Sequence, residues 1–400
     1  MRLAGDNDVH LSYCTNIHPG ETWAEVATAL RQYLPAVKAK LCPGEDFGVG
    51  LRLSAAAADS LAEPAAFAEL QQILADGGLY VFTINGFPYG TFHGARVKEG
   101  VYQPDWRAAE RLAYSNRLAD LMVELLPEDG SISGSISTVP GGFKPDVRGP
   151  ADVAAMAATM LRHAAHLVEL RRRTGRHIAL ALEPEPCCLL ETTGEAVAFF
   201  QDHLFSAEAL ATLAAAAGLS LAEAETAARA HLGVCLDLCH AAVEFEQPGD
   251  AVTALDAAGI AIPKVQISAG LRLATVDAAG LDRLRPFNDD VYLHQVVART
   301  EAGLERHLDL PEAFAAFDPA RDREWRVHFH VPIFLADLDG FATTRPAVEA
   351  FLALQRRAPV TRHLEVETYT WEVLPPEHRR DDVVNNIVKE LRWVRTQMAS

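Results

Sequence analysis

The sequence has few basic residues and few cysteines, and both shortages restrict what the protein can do. Its 400 residues include 36 Lys and Arg against 54 Asp and Glu, which gives a formal net charge of −18. Nucleic acids and anionic membranes attract proteins with a basic face, so this charge argues against either partner. The six cysteines, at positions 14, 42, 187, 188, 235 and 239, show no paired zinc-finger spacing. We therefore expect free thiols that fill the core.

The chain also lacks a long uncharged apolar run. A membrane-spanning helix needs roughly 18 apolar residues, and the alanine-rich run at 207–230 is interrupted by Glu208, Glu223 and Glu225. The first residues lack the basic, apolar and cleavage regions of a secretory signal. We expect a cytoplasmic protein that does not insert into a membrane.

Apolar residues are abundant, at 49% of the chain, and they are arranged in a regular alternation. Short β-branched runs alternate with longer amphipathic segments, which is typical of βα units around a parallel sheet. We predict an α/β fold, a single (β/α)₈ TIM-barrel domain over residues 1–400. The predicted barrel strands cover 9–15, 48–53, 80–84, 133–138, 177–182, 233–238, 264–267 and 363–370.

Two segments are longer than an eightfold repeat of βα units requires. Residues 194–231 contain more helical pattern than one crossover needs, so we predict an inserted helical pair after the fifth strand, broken at Gly218. Residues 270–334 are predicted to be a long insertion after the seventh strand, with extra strands at 292–299 and 325–334 near the barrel mouth. The sequence contains one candidate strand more than a barrel of eight needs. We assign 325–334 to the insertion and 363–370 to the eighth barrel strand.

Polar residues fall where several predicted strands end. Glu183 ends the fifth strand, Asp237 the sixth, Gln266 the seventh, and Glu365 or Glu367 the eighth. The C-terminal strand ends of a parallel barrel converge on one mouth, which holds the active site. Burying several carboxylates there is costly unless a cation compensates, and oxygen ligands suit hard divalent ions. The pattern predicts one divalent ion, Mn²⁺, Mg²⁺, Co²⁺ or Zn²⁺.

The predicted metal ligands are Glu183, Asp237, Gln266 and Glu367, and each also has a simpler interpretation. Glu183 alone reads as a solvated strand-end carboxylate, Asp237 as the cap of the following helix, and Gln266 as a partner of nearby backbone groups. Only their joint occurrence at successive strand ends favours a metal.

The choice between neighbouring carboxylates stays open. Glu365 and Glu367 share one face of the last strand, and we prefer Glu367 because it is nearer the mouth. Glu185 competes with Glu183, but Pro184 separates it from the fifth strand, so we interpret Glu185 as a loop residue.

Three histidines accompany these carboxylates. His240 follows Asp237 by three residues and also fits a hydrogen-bonded core histidine. His328 and His330 have the spacing that points both imidazoles to one side of a strand, where they suit ligand or acid–base roles. We favour substrate-facing roles for both and leave open their membership of the metal site.

The segment Gly233-Val-Cys-Leu-Asp237-Leu-Cys-His240 resembles the Asp-x-x-His motif of the xylose isomerase-like superfamily of sugar phosphate isomerases and epimerases. The resemblance implies that Asp237 binds metal and that His240 contacts substrate. Arg272, six residues after Gln266, is similar to the superfamily's substrate-binding arginine. The superfamily often has histidine where this chain has Gln266, so the fourth ligand is a departure.

The whole chain more specifically resembles the EboE branch of that superfamily, known as metabolite traffic proteins. The resemblance is carried by Cys14-Thr-Asn-Ile-His-Pro-Gly-Glu-Thr-Trp23 and by residues 139–144, 182–187 and 364–371. It implies a barrel encoded beside genes for the handling of isoprenoid-like or other lipophilic metabolites, without fixing a reaction.

The resemblance to the epimerases implies that Glu183 and Glu367 exchange a proton with a small hydroxy-carbonyl substrate held on the metal. The predicted substrate-binding residues are His240, Arg272, His328, His330, Asn85 and Trp371. The alternative is a metabolite-binding protein that keeps the metal site but has no turnover. A nuclease or hydrolase would need a basic groove, which the charge argues against. A homo-oligomer is compatible with each of these functions.

Overall fold

Eight parallel strands form a ring in the computed structural model, which describes residues 1–3, 8–93, 96–338, 340–372, 374 and 382–399. Their order is β1-β14-β7-β6-β5-β4-β3-β2, and a bridge between Cys14 and Gly50 links the two ends. The nearly closed ring confirms the predicted (β/α)₈ barrel. Its strands are β1 His10–Tyr13, β2 Phe47–Arg52, β3 Leu79–Asn85, β4 Gly134–Thr138, β5 Ile178–Leu182, β6 Leu232–Asp237, β7 Ala261–Ile267 and β14 His363–Val366.

Helices surround the ring because each crossover between parallel strands returns along the outside of the barrel. The α-helices are α1 Trp23–Leu41, α2 Ala55–Ser60, α3 Pro64–Gly77, α4 Ala109–Leu125, α5 Pro150–Thr174, α6 Thr193–Phe199, α7 Ala207–Ala217, α8 Leu221–His231, α9 Leu238–Val243, α10 Pro248–Ala257, α11 Ala278–Leu284, α12 Leu310–Ala316, α13 Arg345–Arg357 and α14 Val383–Ala399. The predicted start of the last helix, at 380, lies outside the described residues.

Local sequence signals set several of these bounds. Helix α5 begins with Pro150 in its first turn and ends at Gly175, whose φ of 73° is the left-handed conformation that glycine adopts without strain. Helix α1 begins at a capping box in which Thr22 and Glu25 bond each other's backbone. Strand β5 is buried throughout, as expected for a parallel strand covered on both faces.

The helical insertion after β5 is confirmed. Helices α7 and α8 meet at Gly218, whose φ is 64°, and their axes are bent by 95°. Among the described helices, no single one is long and apolar enough to cross a membrane, although this bent pair passes on combined length and composition.

The insertion after β7 forms a second, antiparallel sheet. Its order is β10-β9-β11-β8-β13-β12, which confirms the predicted extra strands. The strands are β8 Leu271–Leu273, β9 Val296–Thr300, β10 Gly303–His307, β11 Asp322–Val327, β12 Asp337–Leu338 and β13 Phe341–Thr343.

The predicted strand 325–334 is too long, and this corrects the geometry expected for His328 and His330. Strand β11 ends at Val327, and the Phe329 amide then bonds the Val327 carbonyl, which turns the chain out of the ladder. The Val331 amide bonds Ala269, at the C-terminal end of the barrel. Both histidines therefore enter the barrel mouth on an irregular segment.

A buried ion pair lies inside the barrel beneath this mouth. Lys264 Nζ is 2.6 Å from Glu365 Oε2, and neither side chain is exposed. Burial alone would lower the pKa of Lys264, but the nearby Glu365 and other acidic groups outweigh it and raise that pKa. A Cβ at Gly50 would lie 1.8 Å from Glu365 Oε1, so only glycine leaves room for the carboxylate.

We predict that Lys264→Met lowers the free energy of unfolding by about 3–5 kcal/mol, because it leaves Glu365 buried without its cation. The double variant Lys264→Met/Glu365→Leu should recover most of that loss. Urea unfolding of the three proteins measures both effects. A Lys264→Met protein as stable as the wild type would show that the pair does not balance the buried charge.

Candidate metal centre

The structure brings Glu183, Asp237 and Glu367 together at the C-terminal mouth of the barrel. Glu183 directly follows β5, Asp237 is the last residue of β6, and Glu367 directly follows β14. All three are buried, and each offers a carboxylate oxygen that lies within 4.8 Å of the other two. The strand ends predicted from the sequence therefore meet at one point.

The two carboxylate oxygens of Asp237 have different surroundings. Oδ1 accepts from the His240 amide at 2.8 Å, which caps α9, and from Ser268 Oγ at 2.8 Å. Oδ2 is buried and has no hydrogen-bond partner among the described residues. The helix cap that the sequence left as an alternative is therefore present, and the second oxygen is left without a hydrogen-bond partner.

Two asparagines hold Glu367 in place. Asn16 Nδ2 donates to Glu367 Oε1 at 2.7 Å, and Asn85 Nδ2 donates to the same oxygen at 2.9 Å. Glu365 lies deeper, in the pair with Lys264. The structure thus places Glu367, and not Glu365, beside Glu183 and Asp237.

Gln266 lies in register with both Asp237 and Glu365 in the barrel sheet. Its side chain is fully buried, and neither its oxygen nor its nitrogen has a hydrogen-bond partner among the described residues. A buried amide without partners is unfavourable, so Gln266 does not serve as the backbone partner that the sequence left open.

The three buried carboxylates repel one another when all of them carry a negative charge. Two buried charges at this separation repel by about 3 kcal/mol per pair at an effective dielectric constant of 20. Burial, with Glu367 as the next cause, raises the pKa of Glu183 well above its usual range. Burial, followed by Asp237 and Glu365, raises the pKa of Glu367 to about 8. Protons or a bound cation must offset this repulsion at neutral pH.

The donors fit a divalent ion. Glu183 Oε2, Asp237 Oδ2 and both Gln266 side-chain heteroatoms are buried without hydrogen-bond partners among the described residues. Carboxylate and amide oxygens are the ligands that hard divalent ions take. Glu183, Asp237 and Glu367 therefore fit a divalent ion, and Gln266 stays a predicted fourth ligand.

A cavity opens above these carboxylates. Glu183, Glu367 and His240 line it, and so do the predicted residues Asn85, His328 and His330. Its walls are aromatic, formed by Phe87, Phe92, Tyr102, Tyr292 and Tyr369. Aromatic rings give a bound molecule a large apolar surface to pack against.

Several lining residues were not predicted. Glu185, interpreted from the sequence as a loop residue, is buried and accepts from Tyr102 Oη at 2.7 Å and from Gln295 Nε2 at 3.1 Å. Burial raises its pKa to about 7. Asn16 was also missed, although it follows β1 just as the other site residues follow their strands. The pairing of Glu185 with Tyr102 and Gln295 joins distant segments, and no local pattern indicates it.

Arg272 and Trp371 do not lie among the described residues that line the cavity. Arg272 is on β8 between two buried leucines, so it faces away from them, and its Nε donates to Glu324 Oε1 at 2.8 Å. Trp371 is buried beside Glu390 of α14. Neither of these two predicted substrate-binding residues therefore lines the cavity.

All six cysteines are buried and free, as expected. Burial raises the pKa of each thiol, most strongly at Cys14, Cys188, Cys235 and Cys239. A buried neutral thiol packs as a small apolar group.

No family model and no curated protein matches this chain. A solved xylose isomerase-like TIM barrel protein from Mycobacterium smegmatis, in complex with magnesium, is similar over 98% of this chain and 96% of its own, with 12% identity and a TM-score of 0.51. A structure of L-ribulose 3-epimerase aligns over 98% of this chain and 95% of its own, with 13% identity and a TM-score of 0.47. The first likeness shows that this chain has the xylose isomerase-like barrel fold.

The raised carboxyl pKa values predict how the metal-free protein responds to pH. Below a pKa of about 8, folded Glu367 retains a proton that the unfolded chain releases near 4.5. The folded state then binds more protons, so its stability falls as pH rises through this window. Between pH 6.5 and 8.5 the Glu367 carboxyl should account for a fall of about 2 kcal/mol in the free energy of unfolding, and we expect Glu367→Gln to remove that contribution.

Urea unfolding in the presence of a chelator measures this difference. Glu208→Gln, on the exposed side of α7, should leave the pH profile of the wild type unchanged. Identical pH profiles for the wild type and Glu367→Gln would contradict a Glu367 carboxyl that is protonated in the folded protein.

Proposed function

We propose that this protein is a divalent-metal-dependent isomerase or epimerase of a small, uncharged hydroxy-carbonyl compound. The observation that carries the proposal is the convergence of Glu183, Asp237 and Glu367, whose ligand oxygens lie within 4.8 Å of one another, with Glu183 and Glu367 also lining the cavity. Two glutamates beside one cation site can flank a substrate carbon. The Mycobacterium smegmatis barrel, which is similar in fold, was solved in complex with magnesium, and this supports a divalent ion in the present protein.

The metal ligands proposed are Glu183, Asp237, Gln266 and Glu367. A bound divalent ion would supply positive charge that polarises the substrate carbonyl and makes the neighbouring C–H more acidic. Among the candidates, Mn²⁺, Mg²⁺, Co²⁺ and Zn²⁺ all accept such oxygen ligands.

The chain's own residues would move the proton. One glutamate, Glu183 or Glu367, removes the proton from the carbon next to the carbonyl, and the other returns a proton to the same or the neighbouring carbon. Because Asn16 and Asn85 both donate to Glu367 Oε1, Oε2 is the oxygen left to exchange the proton. His240 lies beside the carboxylates to bind a substrate hydroxyl.

The cavity favours a substrate without a phosphate group. Of the lysines and arginines in the described part of the chain, Lys98 is the one that lines it, and its Nζ is already 2.6 Å from Asp309 Oδ2. Phosphate recognition normally uses a free Arg or Lys or a helix N-terminus. Three glutamates that line the same cavity, Glu183, Glu185 and Glu367, would repel a phosphate.

A second function, binding without turnover, is favoured by the aromatic walls and by the resemblance to the EboE branch. In that case the metal centre would hold a metabolite for transfer to another protein. We propose cytoplasmic action on a free small molecule for both functions, with the whole chain acting as one unit, and without nucleic acid or membrane insertion.

Elemental analysis tests the metal centre. Protein purified without chelator should contain a stoichiometric divalent ion, and Asp237→Asn should lose it, because asparagine keeps the helix cap through Oδ1 but removes the anionic oxygen. Asp202→Ala, at an exposed position, is the control and should keep the ion. Metal retained in Asp237→Asn would exclude Asp237 as a ligand.

Solvent isotope exchange tests turnover. Metal-loaded wild type in D₂O should introduce deuterium next to the carbonyl of an unphosphorylated ketose or hydroxy-ketone, detected by NMR. Glu183→Gln and Glu367→Gln should each slow the exchange by about 10²–10⁴-fold. A compound that binds to the metal-loaded protein but never exchanges would favour the binding function instead.

A further inference from the structure

A group of three arginines lies on one face of the insertion sheet, outside the residues that line the cavity. Arg272 is on β8, Arg299 on β9 and Arg326 on β11. Arg326 lies directly opposite Arg272 in the antiparallel pairing, and Arg299 lies opposite Glu324. Residues that lie opposite each other share a face of the sheet, as do residues two apart on one strand. The three guanidinium groups, called the arginine cluster below, therefore project from the same side.

All three guanidinium groups contact one carboxylate, that of Glu324. Arg272 Nε and Arg326 Nε each donate to Glu324 Oε1 at 2.8 Å, and Arg299 Nη1 is 3.6 Å from Glu324 Oε2. Among the described residues, no second carboxylate forms an ion pair with these arginines, so the four side chains carry a formal charge of +2. Arg299 has no hydrogen-bond partner in the described part of the chain, and its N–H groups remain available to a ligand.

The arginines repel one another within the sheet. Like charges that lie directly opposite each other destabilise an antiparallel pair, and Arg272 and Arg326 are such a pair. Burial lowers the pKa of Arg326, and the charges of Arg272 and Arg299 lower it further, although Glu324 acts in the opposite direction. The arginine cluster therefore holds more positive charge than its one carboxylate neutralises.

An aromatic ring supports two of the guanidinium groups. The guanidinium carbons of Arg299 and Arg326 lie over the ring of Phe245, 4.1 Å and 4.0 Å from its centroid. Stacking of this kind orients a guanidinium group and leaves its N–H edge free to bind an anion. The Arg272 and Arg299 side chains are 35% and 48% exposed, so a ligand from solvent can reach them.

The backbone holds this ring in a strained position. Phe245 has a φ of 64°, in the left-handed region that bulky residues seldom adopt because it costs free energy. Both neighbours of Phe245 are anchored. Glu244 Oε2 pairs with Arg306 Nη2 at 2.5 Å, and Glu246 Oε1 accepts from the Thr193 amide at 3.0 Å. The fold thus fixes the ring, and with it the guanidinium groups that stack on it.

We propose that the arginine cluster binds a phosphate group that carries two negative charges. Inorganic phosphate and phosphate monoesters have about this charge near pH 7, and guanidinium groups bind phosphate oxygens in bidentate geometry. A carboxylate, with one charge, would neutralise half of the excess. The net charge of −18 makes the rest of the surface unfavourable for such an anion. This site lies outside the cavity and depends neither on the proposed reaction nor on a metal ion.

Calorimetric titration of chelator-treated protein with inorganic phosphate, at constant ionic strength, tests the proposal. Wild type should bind one equivalent, and its Tm should rise with phosphate but not with sodium chloride. Arg299→Gln should weaken binding by about tenfold or more, because it removes charged hydrogen-bond donors. Glu324→Gln should strengthen binding, because it removes the competing carboxylate. Arg323→Gln, also on β11 and 44% exposed, is the matched control and should bind as the wild type does.

A wild type that does not bind phosphate would overturn the proposal. Equal weakening in Arg299→Gln and Arg323→Gln would also overturn it, because general surface charge would then explain the binding. Asp237→Asn should bind phosphate as the wild type does, and a loss there would place the phosphate at the barrel mouth instead. A parallel titration with glucose 6-phosphate identifies the source of the group: binding at least as tight as that of inorganic phosphate indicates a phosphorylated metabolite, and weaker binding indicates the free ion. Circular dichroism confirms that each variant is folded.

Discussion

The barrel mouth is organised around the repulsion between carboxylates that are buried close together. Glu183, Asp237 and Glu367 have oxygens within 4.8 Å of one another and little access to water. Lys264, a buried lysine inside the barrel, is already paired with Glu365 at 2.6 Å. Such an arrangement is stable only with shared protons or a bound cation. The raised carboxyl pKa values follow from this one constraint, and so does the proposal of a metal ion.

Hydrogen bonds from the surrounding fold hold the carboxylates close to one another and do not remove the repulsion between them. Asp237 is held by the helix amide and by Ser268, and Glu367 by two asparagines. The parallel strands bring these groups together because their C-terminal ends share one edge of the barrel. The insertion then covers that edge and adds His328 and His330, so a segment outside the eightfold repeat shapes the chemistry of the mouth.

The sequence predicted what depends on local pattern and on barrel geometry. Alternating strands and helices, the two insertions and the strand-end positions of Glu183, Asp237 and Glu367 all follow from periodicity and topology. It did not predict contacts between distant segments, such as Glu185 with Tyr102, because nothing local encodes them. Arg272 was assigned by resemblance, and the antiparallel pairing of its strand instead directs it to Glu324. The antiparallel pairing of β11 ends at Val327. The apolar residues of the predicted strand 325–334 did not indicate that end.

Anomalous diffraction from crystals soaked in Mn²⁺ tests the central claim most directly, because it locates an ion without relying on activity. The account predicts an anomalous peak between the carboxylates of Glu183, Asp237 and Glu367, within about 2.0–2.3 Å of an oxygen from each. A soaked crystal with no peak at the barrel mouth, or with Mn²⁺ only at surface carboxylates, would contradict a metal centre built on these three residues.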